Sequence, residues 1–214
     1  MTHTISEKII LFNDIVGSTK LWKKYNSKMF NELNRVMILI HELLKKYKNS
    51  FIVKMMGDSF MIVFDSIVDS IDFTIKLENK LKTTESYLGL NHRLHFRTGI
   101  YAGKVIENEL IIQQKLVKDF FGNVVNISGL IEKRFAKPDS ISIGFTNKSK
   151  LIEIIRYLNN KKYHYEIIDF KRNCTTKRES YHMSSTKNVE QKCKNIKTLK
   201  KINHPFKILT ISNI

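Results

Sequence analysis

Two aspartates, Asp14 and Asp58, each close an apolar run beside small residues. They lie in Phe12-Asn13-Asp14-Ile15-Val16-Gly17-Ser18-Thr19 and in Lys54-Met55-Met56-Gly57-Asp58-Ser59. Carboxylates at strand ends and hairpin tips suit hard divalent cations, which take oxygen ligands and share them with substrate phosphates. If the two segments meet in space, such a pair would hold two cations against a triphosphate. The competing role for each is turn capping, because Asp suits both a helix entry and a hairpin tip.

The elements that must position these residues alternate along the chain. A strand over 8–12 breaks into a Gly-Ser turn and a long helix over 18–48. There Leu21, Tyr25, Phe30, Leu33, Met37, Ile40 and Leu44 recur at three- and four-residue steps. A hairpin, 51–56 and 60–64, turns at Gly57-Asp58. Asp65-Ser66 caps a second helix carrying Ile67, Ile71, Phe73, Ile75, Leu77 and Leu81. A strand over 93–101 is expected to turn at Ala102-Gly103 into 104–112. A third helix over 123–135 ends before Lys137-Pro138. A short strand over 140–144, a helix over 147–158 capped by Thr146 and a strand over 163–170 complete the order. Its first part reads βαββαβ, a ferredoxin-like core within an α+β fold, with an extra hairpin and flanking strands. Residues 1–184 are expected to form one domain and 185–214 a basic C-terminal extension, in which 206–209 suits an additional strand.

Composition narrows the function classes. A chain of 214 residues with 42% hydrophobic content is large enough to bury a sizeable core. No apolar run approaches the roughly 18 residues that a membrane span needs. The N-terminus shows no basic leader followed by an apolar stretch. Only Cys174 and Cys193 occur, both in a basic, polar stretch, so the expected setting is a reducing cytoplasm without a disulfide framework. The net charge of +17 invites a nucleic-acid reading, but from Lys171 onward eleven Lys/Arg face two Glu, so about half the excess lies in the last fifth of the chain. Those cations are mostly Lys with few interleaved aromatics and no zinc or helix-turn-helix spacing, which does not support a specific reader of bases. They read as a solvated tail or as a contact for a polyanion or membrane surface.

Four segments together resemble one family, the class III nucleotidyl cyclases. Phe12 to Thr19 is similar to the family's first metal-binding segment, and Val53-Lys54-Met55-Met56-Gly57-Asp58-Ser59-Phe60 to its second. Arg97-Thr98-Gly99-Ile100-Tyr101-Ala102-Gly103-Lys104-Val105 resembles the strand and turn ahead of the dimerisation arm. Asp119-Phe120-Phe121-Gly122-Asn123-Val124-Val125-Asn126 resembles the segment that faces base and ribose. The matches keep the family's order and spacing over roughly residues 7–184.

The resemblance implies head-to-tail homodimers with sites at the interface. Asp14, Asp58 and the backbone carbonyl of Ile15 would hold two Mg²⁺ or Mn²⁺ ions. Phe12 and the backbone amides of Val16, Gly17, Ser18 and Thr19 would line the nucleotide, the amides taking its phosphates as helix starts do. The partner chain would bring Lys54 and Asp119 to the base and Asn126 to the ribose. The implied reaction is attack of the ribose 3′ oxygen on the α-phosphate, releasing pyrophosphate. One departure stands out: four residues after Asn126, where the family places an arginine, this chain has Leu130. Arg134, Lys115 and Lys171 are the candidate substitutes, with Lys171 about where the family places a phosphate-binding lysine. The base stays open. Lys54 and Asp119 resemble the adenine-selecting arrangement but also suit cytosine, and the near-bare catalytic domain resembles stand-alone bacterial pyrimidine cyclases of anti-phage defence, which make cCMP or cUMP. A catalytically silent nucleotide-binding dimer and a polymerase-like protein are the other readings. A diguanylate-type cyclase is disfavoured, because the chain has no Gly-Gly-Asp-Glu-Phe-like hairpin.

Overall fold

The chain places a central strand, β1 (His3–Ile15), between two antiparallel partners. The computed structural model describes residues 3–89, 92–112, 115–146, 148–169, 178–179 and 207–212. After β1 come α1 (Ser18–Tyr25), α2 (Ser27–Leu44), β2 (Phe51–Met56), β3 (Ser59–Phe64), α3 (Ile67–Thr83), β4 (Phe96–Ile112), β5 (Lys115–Phe121), α4 (Asn123–Phe135), β6 (Ser140–Phe145), α5 (Lys148–Lys161), β7 (Tyr165–Asp169), β8 (Arg178–Glu179) and β9 (Lys207–Ser212). Among the described residues the strands form one sheet in the order β2-β3-β1-β4-β6-β9-β7-β8, with β5 pairing β4. The segment β2-β3-β1-β4 is the ferredoxin-like order, with each neighbour antiparallel.

Period-two alternation on β1 separates two cores. Ile9, Leu11 and Ile15 join the buried residues of α2, α3 and α5 on one face. Ile10 joins Met61, Val105, Phe120, Val124 and Ile131 on the other, where α4 and β5 pack. Asn13 and Asp14 therefore point to opposite faces. Asn13 is fully buried on the helix side, with Nδ2 donating to Thr98 Oγ1 at 2.9 Å.

Several boundaries differ from the sequence-based expectation, each for a physical reason. The helix over 18–48 is two helices, because Asn26 adopts a left-handed φ of 40° between Tyr25 and Ser27. The expected turn at Ala102-Gly103 is absent. Those residues pair with Ile9 and Lys8 inside the continuous strand β4. Gly103 serves a close approach instead, since a Cβ there would lie 2.9 Å from Val124 Cγ2. Gly99 has the tightest requirement. A Cβ at that position would meet Glu132 N at 2.2 Å and Ser128 O at 2.5 Å, so α4 crosses β4 directly over it. Residues 93–95 precede β4 rather than belonging to it. Residues 207–212 form the additional strand expected within 206–209, and it lies inside the sheet, pairing with both β6 and β7.

One buried carboxyl gives the fold a pH dependence. Glu78 on α3 is 2% exposed and its Oε2 has no hydrogen-bond partner. Burial pushes its pKa from 4.5 up to about 8, with Asp139 adding and Lys82 and Arg93 opposing. The folded chain thus holds a proton that the unfolded chain has released, and stability falls as pH rises from about 4.5 through about 8. Glu78→Gln removes that loss. At pH 8.5 the variant's unfolding free energy should exceed the wild type's by on the order of a few kcal/mol, read as a higher Tm, and the margin should vanish near pH 4.

Candidate active site

The end of β1 and the tip of the β2–β3 hairpin meet through one hydroxyl. The register Asn13↔Phe60 brings Asp14 beside Ser59, the residue after Asp58, and Ser59 Oγ donates to Asp14 Oδ1. The second oxygen of Asp14 accepts from Arg97 Nη2, placed there by the register Asp14↔Arg97 on β4. Arg97 Nε also forms an ion pair with Glu132 Oε1 at 3.1 Å. One guanidinium is therefore shared between a strand-end aspartate and a glutamate of α4. Burial pushes Glu132 from 4.5 up to about 7, with Arg97 opposing and Asp14 adding.

Do these residues fit a divalent cation? Asp58 Oδ2 is buried and has no hydrogen-bond partner. Leaving a charged acceptor in that state costs more than the roughly 1–3 kcal/mol of a neutral group, unless a cation satisfies it. The donor set is oxygen throughout, as hard cations require. Among the described residues no cluster of three or more His, Cys, Asp or Glu has a metal-holding arrangement. A cation here would thus rest on two carboxylates, a backbone carbonyl and phosphate oxygens. The residues present fit that group.

The turn after β1 departs from expectation at one position. Val16 N donates to His95 O at 2.8 Å, so its amide is engaged by the protein rather than open to a phosphate. The cause is continuity: Ile15 still pairs with Phe96, and the chain leaves the sheet only one residue later. Gly17 then adopts φ 70° and caps α1, which leaves the first-turn amides of Gly17, Ser18 and Thr19 free of helical partners. Phe12, half-buried beneath Gly129 of α4, lies on the same face of β1 as Asp14.

A second cluster forms where β2 meets β5. Lys54 Nζ pairs with Asp119 Oδ2 at 2.6 Å and lies 5.7 Å from the Phe121 ring centroid. Asp119 Oδ1 accepts from Phe120 N at 2.8 Å. A strand bulge between Ile52 and Lys54 and the contact of Phe51 with Phe120 at 6.1 Å bring the two strands together. Asn126 is exposed one turn into α4, near this cluster's end of the helix. Glu132, about 9 Å further along the axis, belongs to the Asp14 end. Leu130 is half-buried and Arg134 exposed. Lys171 lies outside the described residues, as does the side chain of Lys115.

Sequence reasoning did not single out Arg97, Glu132 or Ser59. Arg97 opens a segment already noted for its resemblance, yet its pairing with Asp14 depends on a register between strands 83 residues apart. Ser59, next to Asp58 at the hairpin tip, was the one signal available locally.

The sequence model for the adenylate and guanylate cyclase catalytic domain matches residues 2–167. The guanylate cyclase domain of a rhodopsin-guanylyl cyclase from Catenaria anguillulae, solved with GTP, superposes with a TM-score of 0.67 at 14% identity, covering 99% of this chain and 98% of that one. The catalytic core of a rhodopsin-guanylyl cyclase with converted specificity, solved with ATPαS, gives 0.69 at 16% identity, covering 99% of both chains. The adenylyl cyclase CyaB from P. aeruginosa gives 0.66 at 16%, covering 100% and 97%. No curated protein matches the chain. No helix among the described residues is long and apolar enough to cross a membrane.

Proposed function

The chain belongs to the adenylate and guanylate cyclase catalytic domain family, and from that premise we propose that it closes a nucleoside triphosphate into its 3′,5′-cyclic nucleotide with release of pyrophosphate, at sites shared by two copies. The observation that carries the reading is the meeting of Asp14 with the Asp58 hairpin tip through Ser59. Asp14, Asp58 and the Ile15 carbonyl would hold two Mg²⁺ or Mn²⁺ ions, which lower the pKa of the attacking hydroxyl and offset charge on the phosphoryl oxygens.

The remaining roles belong to the chain's own groups. The amides of Gly17, Ser18 and Thr19 bind phosphate at the start of α1. Arg97 keeps Glu132 as a partner when Asp14 turns to a cation, so its positive charge stays beside the acidic pair. Lys54 and Asp119 of the partner subunit read the base, and Asn126 of the partner subunit orients the ribose. Two features support a shared site. The Asp14 and Asn126 clusters sit toward opposite ends of α4, so each protomer carries two half-sites. The β4–β5 hairpin also exposes Ile106, Ile111, Leu116, Val117 and Phe121, an apolar surface that a second copy would cover.

The Lys54–Asp119 pair favours a base with a ring acceptor next to an exocyclic amine, which adenine and cytosine both present. Purified protein incubated with Mn²⁺ and each of the four NTPs should yield cyclic product from ATP or CTP, identified by mass spectrometry. No product from any NTP, despite tight nucleotide binding, would overturn the enzyme reading. Leu130 favours that second reading, a silent nucleotide-binding module, because loss of a transition-state donor costs about two to three orders of magnitude in rate.

A further inference from the structure

Asp139 adopts a left-handed φ of 52° just before β6, a conformation that glycine takes most readily and that costs other residues energy. Its charge also lies near Glu78 of α3, but its hydrogen bonds and ion pairs to other elements converge on one segment. The Asp139 backbone N–H donates to Phe96 O at 2.8 Å. Its Oδ2 accepts from Arg93 Nη2 at 2.9 Å and lies 2.7 Å from His95 Nδ1. The segment so held, 93–96, has no strand partner before Phe96. Leu94 is buried in the core and Phe96 pairs with Ile15, while His95 O accepts from Val16 N at 2.8 Å at the base of the Gly17-Ser18-Thr19 turn. A strained residue whose side chain grips a short irregular segment is better explained by what that segment positions than by stability alone.

We infer that Asp139 is a positioning residue: by clamping Arg93 and His95 it fixes the His95 carbonyl, and through it the Val16 amide and the phosphate-binding turn. The inference rests on reading Gly17 to Thr19 as that turn, and it adds a residue at the start of β6, two strands from β1, to the control of the substrate site. Displacing amides that hold phosphate weakens binding of the triphosphate rather than the chemical step.

The full chain carrying Asp139→Gly tests it, because glycine relieves the backbone while deleting the clamp. Amide exchange at Val16, the hydrogen-bonded amide of this turn, should quicken by about ten-fold relative to wild type. KM for the nucleoside triphosphate should rise by about ten-fold with kcat changed far less, while Tm stays at or above the wild type. Asp139→Asn, which tolerates the same backbone and keeps an acceptor, should fall between. Wild-type exchange at Val16 in the glycine variant would overturn the inference. So would a lowered Tm with exchange quickened throughout, which would make Asp139 a general stabiliser. Should wild type form no cyclic product, the exchange and Tm results still decide the matter, separately from the cyclase reading.

Discussion

Asp58→Asn should lower kcat by about three orders of magnitude or more while leaving Tm unchanged or raised. A metal-held charge supplies several kcal/mol of transition-state stabilisation, and each 1.36 kcal/mol is ten-fold in rate. The direction of the stability effect follows from the site itself. Asp58 Oδ2 is buried without a hydrogen-bond partner, so in the absence of a cation the carboxylate weakens the fold, and an amide removes its charge. Activity and stability should thus move apart, the signature of a group kept for chemistry. The measurement is a product assay in saturating Mn²⁺ alongside thermal melts with and without the metal. Wild type should gain Tm on metal addition and Asp58→Asn should not, because only a state that binds the ligand is stabilised by it. A variant that keeps more than about a tenth of wild-type kcat would remove Asp58 from the acidic pair.

The second large effect concerns two inactive proteins. Asp58→Ala and Asn126→Ala, each inactive alone, should recover about a quarter of wild-type activity when mixed in equal amounts and allowed to exchange subunits. Half of the dimers are then mixed, and each of those has one intact site of two when the interface is two-fold symmetric. The physical basis is the separation of half-sites within one protomer. Arg97 and Glu132 tie the Asp14 cluster to one end of α4, while Asn126 lies about 9 Å back toward the Asp119 end. Failure to recover activity, with mixed dimers demonstrated by native mass spectrometry, would count against sites completed by a second copy.

The legible part of this fold is local. The β2–β3 hairpin follows from alternation and a Gly-Asp tip, the start of α3 from its Ser66 cap, which accepts from Asp69 N at 3.2 Å, and the end of α4 from the Lys137-Pro138 stop. What failed was decided at long range. Ala102-Gly103 carries a turn's composition, but pairing with Lys8 and Ile9 outweighs it and β4 runs straight through. The break at Asn26 leaves the three- and four-residue periodicity almost undisturbed, so no pattern in 18–48 announces it. The strand at 207–212 is expected from its apolar run, but its placement between β6 and β7 depends on partners 38 to 72 residues away. The candidate site divides in the same way. Asp14, Asp58, Lys54 and Asp119 stand out by type and spacing, and the structure pairs Lys54 with Asp119 directly. Arg97 and Glu132 do not stand out, because only the β1–β4 register and the crossing of α4 over Gly99 bring them to Asp14. The amide of Val16 is spent on His95, a contact invisible to any local motif.

The central claim is that Asp14 and Asp58 together grip cations bearing a triphosphate. A crystal grown with Mn²⁺ and a non-hydrolysable nucleoside triphosphate analogue tests it most directly through the manganese anomalous signal. Manganese peaks bridging the two carboxylates and the phosphates, with Arg97 released from Asp14 yet still paired with Glu132, are the expected result. Manganese bound elsewhere, with Asp14 still held by Ser59 and Arg97 and Asp58 touching no cation, would contradict it.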